Sequence, residues 1–306
     1  MSRGPGRVLL VFLDGVGVGE DDPRHNPLAA APLPTLSALC GGTVPLQTRI
    51  TGPGGSDPAA RWTVADATLG VPGRPQSGTG QTSLLTGENA AMAFGRHFGP
   101  WVPTGLRDLL ARRNLLSRAV GSGRVAAFAN AHPGGGSRPE PPRRPAAPPL
   151  AALGAGIDLR GPADLFAGRA VASTITHHAL VRHLPGLPVI SPERAGTNLA
   201  AIAALADVTL YAHYDTDLVG HRRDLSAAVE VLIRVDRFLV GLLDALPADT
   251  LLVIASDHGN VEDTRVGHTT NPVPVIATGP GAETLLGGIR SIMDVTPELL
   301  NVLNVE

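Results

Sequence analysis

Carboxylate and imidazole side chains gather in three short stretches of this 306-residue sequence. Asp14 lies in VFLDGVG. HYDTDLVGH holds His213, Asp215, Asp217 and His221. SDHGNVEDTRVGHTTNPVP holds Asp257, His258, Glu262, Asp263 and His268. Carboxylate oxygens suit hard divalent cations, and imidazole suits Zn, Mn or Fe. A mixed Asp/His set of this kind is what a two-metal hydrolytic site uses. A single Asp at the end of a strand is more often a turn former or helix cap; the three clusters together carry the metal reading. His213 and Asp215 are expected to orient ligands or to serve structure, and Glu262 and Asp263 to be loop residues.

A fourth stretch, GRPQSGTGQTSLLTGENA, is rich in glycine and hydroxyls and turns apolar at Leu84 and Leu85. It reads as a loop entering a helix N-terminus, where free amides and the helix dipole favour an anion. A hydroxyl there, deprotonated beside a metal, would attack phosphorus. On chemistry alone Ser77, Thr79, Thr82 and Ser83 are all candidates.

Each cluster follows an apolar run. Val8–Leu13 stops at Asp14, and similar runs cover Arg124–Ala129, Val208–Ala212, Leu251–Ala255 and Val273–Ala277. Continuous apolar runs fit strands buried on both faces of a parallel sheet. Helical periodicity covers Thr104–Arg118, Asn198–Leu205 and Ser226–Leu246. Strands alternating with helices predict an α/β fold with a mainly parallel sheet, with ligands held beyond the strands' carboxyl ends. HPGGGSRPEPPRRPAAPP, from His132 to Pro149, is too rich in Pro and Gly for a helix or central strand. We read 131–194 as a small insertion with weak strand-like pieces over the sheet edge, dividing a core made of 1–130 and 195–306.

Composition narrows the partners. Hydrophobic residues make up 43%, charged residues 17% and aromatics 3%, so Leu, Val and Ala must build the core. The net charge of −2 gives no electrostatic case for nucleic acid or an anionic membrane. The 25 basic residues are all Arg, so any fixed cation that holds a phosphate is Arg and no Lys serves as acid, base or Schiff-base nucleophile. The single Cys40 rules out an intrachain disulfide framework. No stretch reaches the ~20 apolar residues of a membrane span, and the N-terminal apolar run is short for a signal peptide. The expectation is a cytoplasmic protein.

The motifs resemble the alkaline phosphatase superfamily, and within it the branch of cofactor-independent phosphoglycerate mutase and phosphopentomutase. SDHGN followed by HTTNPVPVI is very like the mutase. DLVGHRRD blends the mutase's Asp-x-x-Gly-His with the Gly-His-Arg-Arg-Asp of phosphopentomutase. FLDGVGVG and PTLSAL, Pro34–Leu39, match the opening strand and the segment after it. The resemblance covers about 1–130 and 195–306, and implies a three-layer core with helices on both faces of the sheet. It also implies two divalent ions, Mn2+ or Zn2+. One would be bound by Asp217, His221 and His268, the other by Asp14, Asp257, His258 and the nucleophile. Alignment from Pro72 puts the nucleophile at Thr79, with Ser77 as the fallback.

That reading implies a phosphatase or phosphomutase acting on a small phosphorylated metabolite through a phospho-Thr intermediate. Asn130, Arg222 and Arg223 are candidate substrate contacts. His132, Arg138, Arg143 and Arg144 are candidates for a phosphate clamp. The family's cap domain is much reduced, since only 131–194 is available for it; this favours hydrolysis over mutase chemistry, which must exclude water. Alternatives are a phosphodiesterase or nucleotide pyrophosphatase, and a metal-binding protein without catalysis. A sulfatase is set aside, because neither Cys40 nor Ser77 lies in the required Cys/Ser-x-Pro-x-Arg pattern.

Overall fold

The computed structural model describes residues 5–50, 61–133, 135 and 144–305. Six strands form one sheet: β1 Arg7–Leu13, β2 Trp62–Ala65, β3 Ala126–Phe128, β4 Val208–His213, β5 Thr250–Ala255 and β6 Val273–Thr278. Their order is β2-β6-β5-β1-β4-β3. The block β5-β1-β4-β3 is parallel, whereas β6 pairs antiparallel with β5, and β2 antiparallel with β6. The five apolar runs all become strands. Trp62–Ala65 is a sixth that the sequence pattern does not announce.

Period-two alternation of side chains sends one strand into two cores. Along β1, Val8, Leu10 and Phe12 join one apolar cluster, and Leu9, Val11 and Leu13 join the other. The first cluster is covered by helices that include Ser77–Thr86, Thr104–Arg113, Leu115–Gly121, Ala147–Gly154 and Val295–Val302. The second is covered by Pro192–Ala203 and Leu225–Ala245. The result is the expected three-layer α/β sandwich. The helices of the second layer touch backbone to backbone: a Cβ on Gly196 would lie 2.2 Å from the Phe238 carbonyl oxygen. Buried Asp236 of Leu225–Ala245 accepts from the Thr35 and Leu36 amides, and so fixes the start of Pro34–Leu39.

Two expectations are revised. The periodic stretch Thr104–Arg118 is not one helix. It breaks at Asn114, which donates to the Leu110 carbonyl and caps the next helix by accepting from Leu116 and Ser117. The strand-like pieces within 131–194 form isolated bridges only, Asn130 with Val171 and Ala172 with Ile175, and no strand among the described residues. The segment meets the sheet beyond β3, but its helix Ala147–Gly154 also puts Leu150, Ala151 and Ala152 into the first core cluster. Arg138 and Arg143 lie outside the described residues. Among the described residues, no helix is long and apolar enough to cross a membrane.

Candidate metal centre

The parallel strands β1, β4 and β5 end together. Asp14 follows β1, Asp217 lies in the helix Asp215–Arg222 after β4, and Asp257 and His258 follow β5. His268 comes from the loop before β6. The chain turns sharply behind Asp14, where Gly15 has φ +68 and a Cβ would lie 2.7 Å from Asp217 Oδ1. Any larger residue there would be strained and would push Asp217 away.

Two groups of ligand atoms result. Asp14, Asp257 and His258 offer atoms all within 4.8 Å of one another, and so do Asp217, His258 and His268. His258 belongs to both. Its Nε2 lies 3.4 Å from Asp14 Oδ1 and 3.5 Å from Asp257 Oδ2. His268 Nε2 is 3.4 Å from Asp217 Oδ1 and 3.2 Å from His221 Nε2, and His221 Nε2 is 3.2 Å from Asp217 Oδ2. The His258 and His268 rings stack at 4.0 Å. His268 Nδ1–H donates to the Pro75 carbonyl at 2.8 Å, which fixes the tautomer and leaves Nε2 to act as a ligand.

The cluster is short of protons and cations for its many acceptors. Buried Asp14 Oδ1 and Asp257 Oδ2 have no hydrogen-bond partner. Such atoms cost free energy in a low-dielectric interior unless a cation or proton meets them. Burial, then the charges of Asp257 and Asp217, push the Asp14 carboxyl well above the usual carboxylate range. Burial and the Asp217 charge raise Asp257 to about 7. Burial, with His268 next, lowers His258 to about 3, so its imidazole is neutral. Burial opposes ionisation of Asp217 too, yet the hydrogen bonds from His268 and Asn260 hold it down to about 2. The donor set and the orphaned oxygens together fit divalent cations.

The hydroxyl loop begins the helix Ser77–Thr86, all of whose residues are buried. A Cβ on Gly80 would come within 2.9 Å of the Asp257 carbonyl oxygen, so glycine lets this helix reach the ligand loop. The Ser77 hydroxyl donates to His258 Nε2 at 3.0 Å. Thr79 Oγ1 faces elsewhere: it accepts from the Phe98 amide at 3.1 Å and lies 3.2 Å from the Gln76 carbonyl. Thr82 Oγ1 donates to the Gly78 carbonyl, and the Ser83 hydroxyl accepts from the Ala90 amide. The alignment put Thr79 first and Ser77 second; the geometry places Ser77 at the ligand cluster and Thr79 against the Phe98 backbone.

The other named residues fall in three groups. Asp215 is paired with Arg234 at 3.0 Å, and His213 Nδ1–H donates to the Ser173 carbonyl, so both brace the chain around β4. Asn130 has its amide committed to both backbone groups of Ala212. Arg222 and Arg223 are exposed at the end of Asp215–Arg222, and Arg144 stacks on Trp101. Three residues beside the ligands were not expected to act there. Gln81 donates to Asp14 Oδ2 at 3.0 Å, Asn260 donates to Asp217 Oδ1 at 2.6 Å, and Glu262 is buried among backbone donors. Glu262 does lie in the loop after β5, as read; the sequence does not show that this loop packs its carboxylate against the Gly17 amide, 245 positions away.

Residues 193–306 match the family model of the Metalloenzyme superfamily. The 2,3-bisphosphoglycerate-independent phosphoglycerate mutase of Haloquadratum walsbyi is 34% identical over 111 residues, covering 33% of this chain and 22% of that protein. The enzyme of the same name from Agrobacterium fabrum is 43% identical over 109 residues, covering 32% and 21%. The match therefore spans less than a quarter of the length of those relatives. Among solved structures, the alkaline phosphatase of the Antarctic bacterium TAB5 superposes with a TM-score of 0.57 at 14% identity, covering 100% of each chain. Leishmania mexicana phosphoglycerate mutase gives 0.51 at 13% identity, covering 100% of this chain and 96% of that one. The segment 193–306 is thus similar to the metalloenzyme superfamily, and the whole chain shares an alkaline-phosphatase-like fold.

Proposed function

We propose that this chain is a metal-dependent phosphoryl-transfer enzyme that acts on a small phosphate monoester through Ser77. Asp14, Asp257 and His258 would hold one divalent cation, and Asp217, His221 and His268 the other. Bound there, the cations would offset the phosphate's charge and lower the pKa of a neighbouring hydroxyl. Ser77 Oγ attacks phosphorus, the ester P–O bond breaks, and the serine proton leaves with the departing alcohol. Water then releases phosphate and restores the serine. The N-terminal end of Ser77–Thr86 favours negative charge at this hydroxyl. Half-exposed His221, with 53% of its side chain open to solvent, supports water as the acceptor.

Two openings beside the cluster support a phosphorylated substrate. One, of about 430 Å³, is lined by Arg74, Gln76, Arg96 and His97. The other, of about 210 Å³, is lined by Arg74, Asp263, His268 and Asn271. The guanidinium groups of Arg74 and Arg96 suit a phosphate's charge, and Pro72 and Phe98 give the larger opening apolar wall for the alcohol.

The observation that carries this reading is the 3.0 Å contact from Ser77 to His258 at the junction of both ligand groups. Its test is paired substitution, assayed on an aryl phosphate with Mn2+ or Zn2+. Ser77→Ala is expected to lower kcat by about 10³-fold or more, and Thr79→Ala by less than about tenfold. Phosphopeptide mapping of quenched enzyme is expected to find phosphate on Ser77. Turnover that survives Ser77→Ala and is lost in Thr79→Ala overturns the assignment and restores Thr79.

A further inference from the structure

Glu262 is 1% exposed and has no basic partner among the described residues. It is nonetheless fully satisfied. Oε2 accepts from the Gly17 amide at 3.0 Å and the Asn260 amide at 2.7 Å. Oε1 accepts from the Thr269 hydroxyl and from Asn271 Nδ2 at 3.1 Å. The backbone closes around it, since a Cβ on Gly17 or on Gly259 would lie 2.3 Å from Oε1. A buried carboxylate with four donors is costly to assemble and rigid once assembled.

The donors come from three separate segments, and each segment carries candidate ligands. Gly17 is three residues after Asp14. Asn260 follows Asp257 and His258, and Thr269 follows His268. Asn260 extends the connection, since its Nδ2 donates to Asp217 Oδ1 at 2.6 Å and to the Asp217 carbonyl at 3.2 Å. One arm from Glu262 therefore runs through Thr269 to His268, and another runs through Asn260 to Asp217. Asp14 and Asp257 have separate supports, Gln81 Nε2 for the first and the Gly15 amide for the second.

We propose that Glu262 is a positioning residue that sets the placement of Asp217 and His268, and hence governs cation binding at that group more than at Asp14 and Asp257. The inference rests on the metal reading above. Groups that orient ligands through hydrogen bonds are typically worth about 10–100-fold in metal affinity.

The test compares Glu262→Ala and Glu262→Gln by Mn2+ and Zn2+ binding isotherms and by the absorption spectrum of the Co2+-loaded protein. In the Gln variant, the carbonyl can face the Gly17 and Asn260 amides. Its NH2 can face Thr269, whose hydroxyl can turn to accept, and a flipped Asn271. Glu262→Ala is expected to weaken one of two cations by about 10–100-fold and to alter the Co2+ spectrum, with Glu262→Gln recovering most of both. Should Glu262→Ala fail to fold, Thr269→Val and Asn260→Ala each cut one arm and keep the carboxylate. Each is then expected to weaken the same cation with the melting temperature near wild type. Unchanged affinity and spectrum in Glu262→Ala, or in both arm variants, overturns the inference. A wild-type chain that binds neither Mn2+ nor Zn2+ overturns the metal reading itself, which is a separate outcome.

Discussion

The two ligand groups meet at His258 but differ in how they hold their charge. Asp14 and Asp257 are sealed beneath the strand ends, 6% and 0% exposed, and face each other. Burial, then the charges of Asp257 and Asp217, raise the Asp14 carboxyl, and burial and the Asp217 charge raise Asp257 to about 7. Asp217 is nearly as buried, yet His268, His221 and Asn260 surround it, and it is held down to about 2. The same residue type thus stores protons on one side and stays ionised on the other, because its neighbours are carboxylates in one case and imidazoles in the other. The first group depends on a cation to relieve it; the second is already compensated in part.

Removing a ligand from each side gives the largest expected contrast. Asp257→Ala is expected to lower kcat/KM by about 10³-fold or more and to resist rescue by excess metal, because the buried group loses an anionic ligand. His221→Ala, at the open rim, is expected to weaken metal binding by about 10–100-fold and to recover activity as Mn2+ or Zn2+ is raised. Equal losses in both variants, neither rescued, would erase the distinction between the groups.

Protons give the next contrast. A cation must displace the proton that Asp257 keeps up to about 7, so its apparent affinity at that group is expected to rise from pH 6 toward pH 8. The slope is at most about tenfold per pH unit for each proton displaced. Asp217, ionised above about 2, adds no slope in this range; at its group the slope comes from His268, which, against burial, its bond to Asp217 keeps protonated further up. Metal titrations at pH 6, 7 and 8 with two resolvable affinities measure this directly; a flat profile for both would contradict it.

Stability of the metal-free protein follows the same sign. A folded-state pKa above the unfolded value means that the fold favours the protonated form. The contribution of Asp257 is therefore present below the unfolded value near 3.9 and is lost as pH rises through about 7. Asp257→Asn is expected to raise the melting temperature of the metal-free protein at pH 8 and to change it little at pH 4. A variant less stable than wild type at pH 8 would argue against the repulsion. The smallest effect is outside both groups: Thr79→Val, which removes the hydrogen bond with the Phe98 amide, is expected to cost about 1 kcal/mol of stability and to leave metal affinity unchanged.

What the sequence made legible follows from where the information lies. Runs such as Val8–Leu13 and Leu251–Ala255 are buried on both faces, so their uniform apolarity marks them as strands, and the Asp and His that end them mark the site. Trp62–Ala65 is a short antiparallel strand at the sheet end, four residues long, and offers no such run. The choice between Ser77 and Thr79 is a matter of helical phase. Two residues along a helix differ by about 200°, so only one of the pair can face the ligands. A loop alignment counted from Pro72 does not fix that phase; the approach of Gly80 to the Asp257 backbone does. Gln81 was illegible as a support because Asp14 lies 67 positions away, and Glu262 because nothing local marks a loop carboxylate as buried against Gly17, 245 positions away.

The most direct test of the account is the number of Mn2+ or Zn2+ ions bound per chain at saturation, in wild type and in His268→Ala. The account predicts two ions in wild type and a single tightly held ion in the variant, with Asp14, Asp257 and His258 still loaded. A wild-type chain that saturates at one ion, or a His268→Ala chain that keeps two with unchanged affinity, would contradict it.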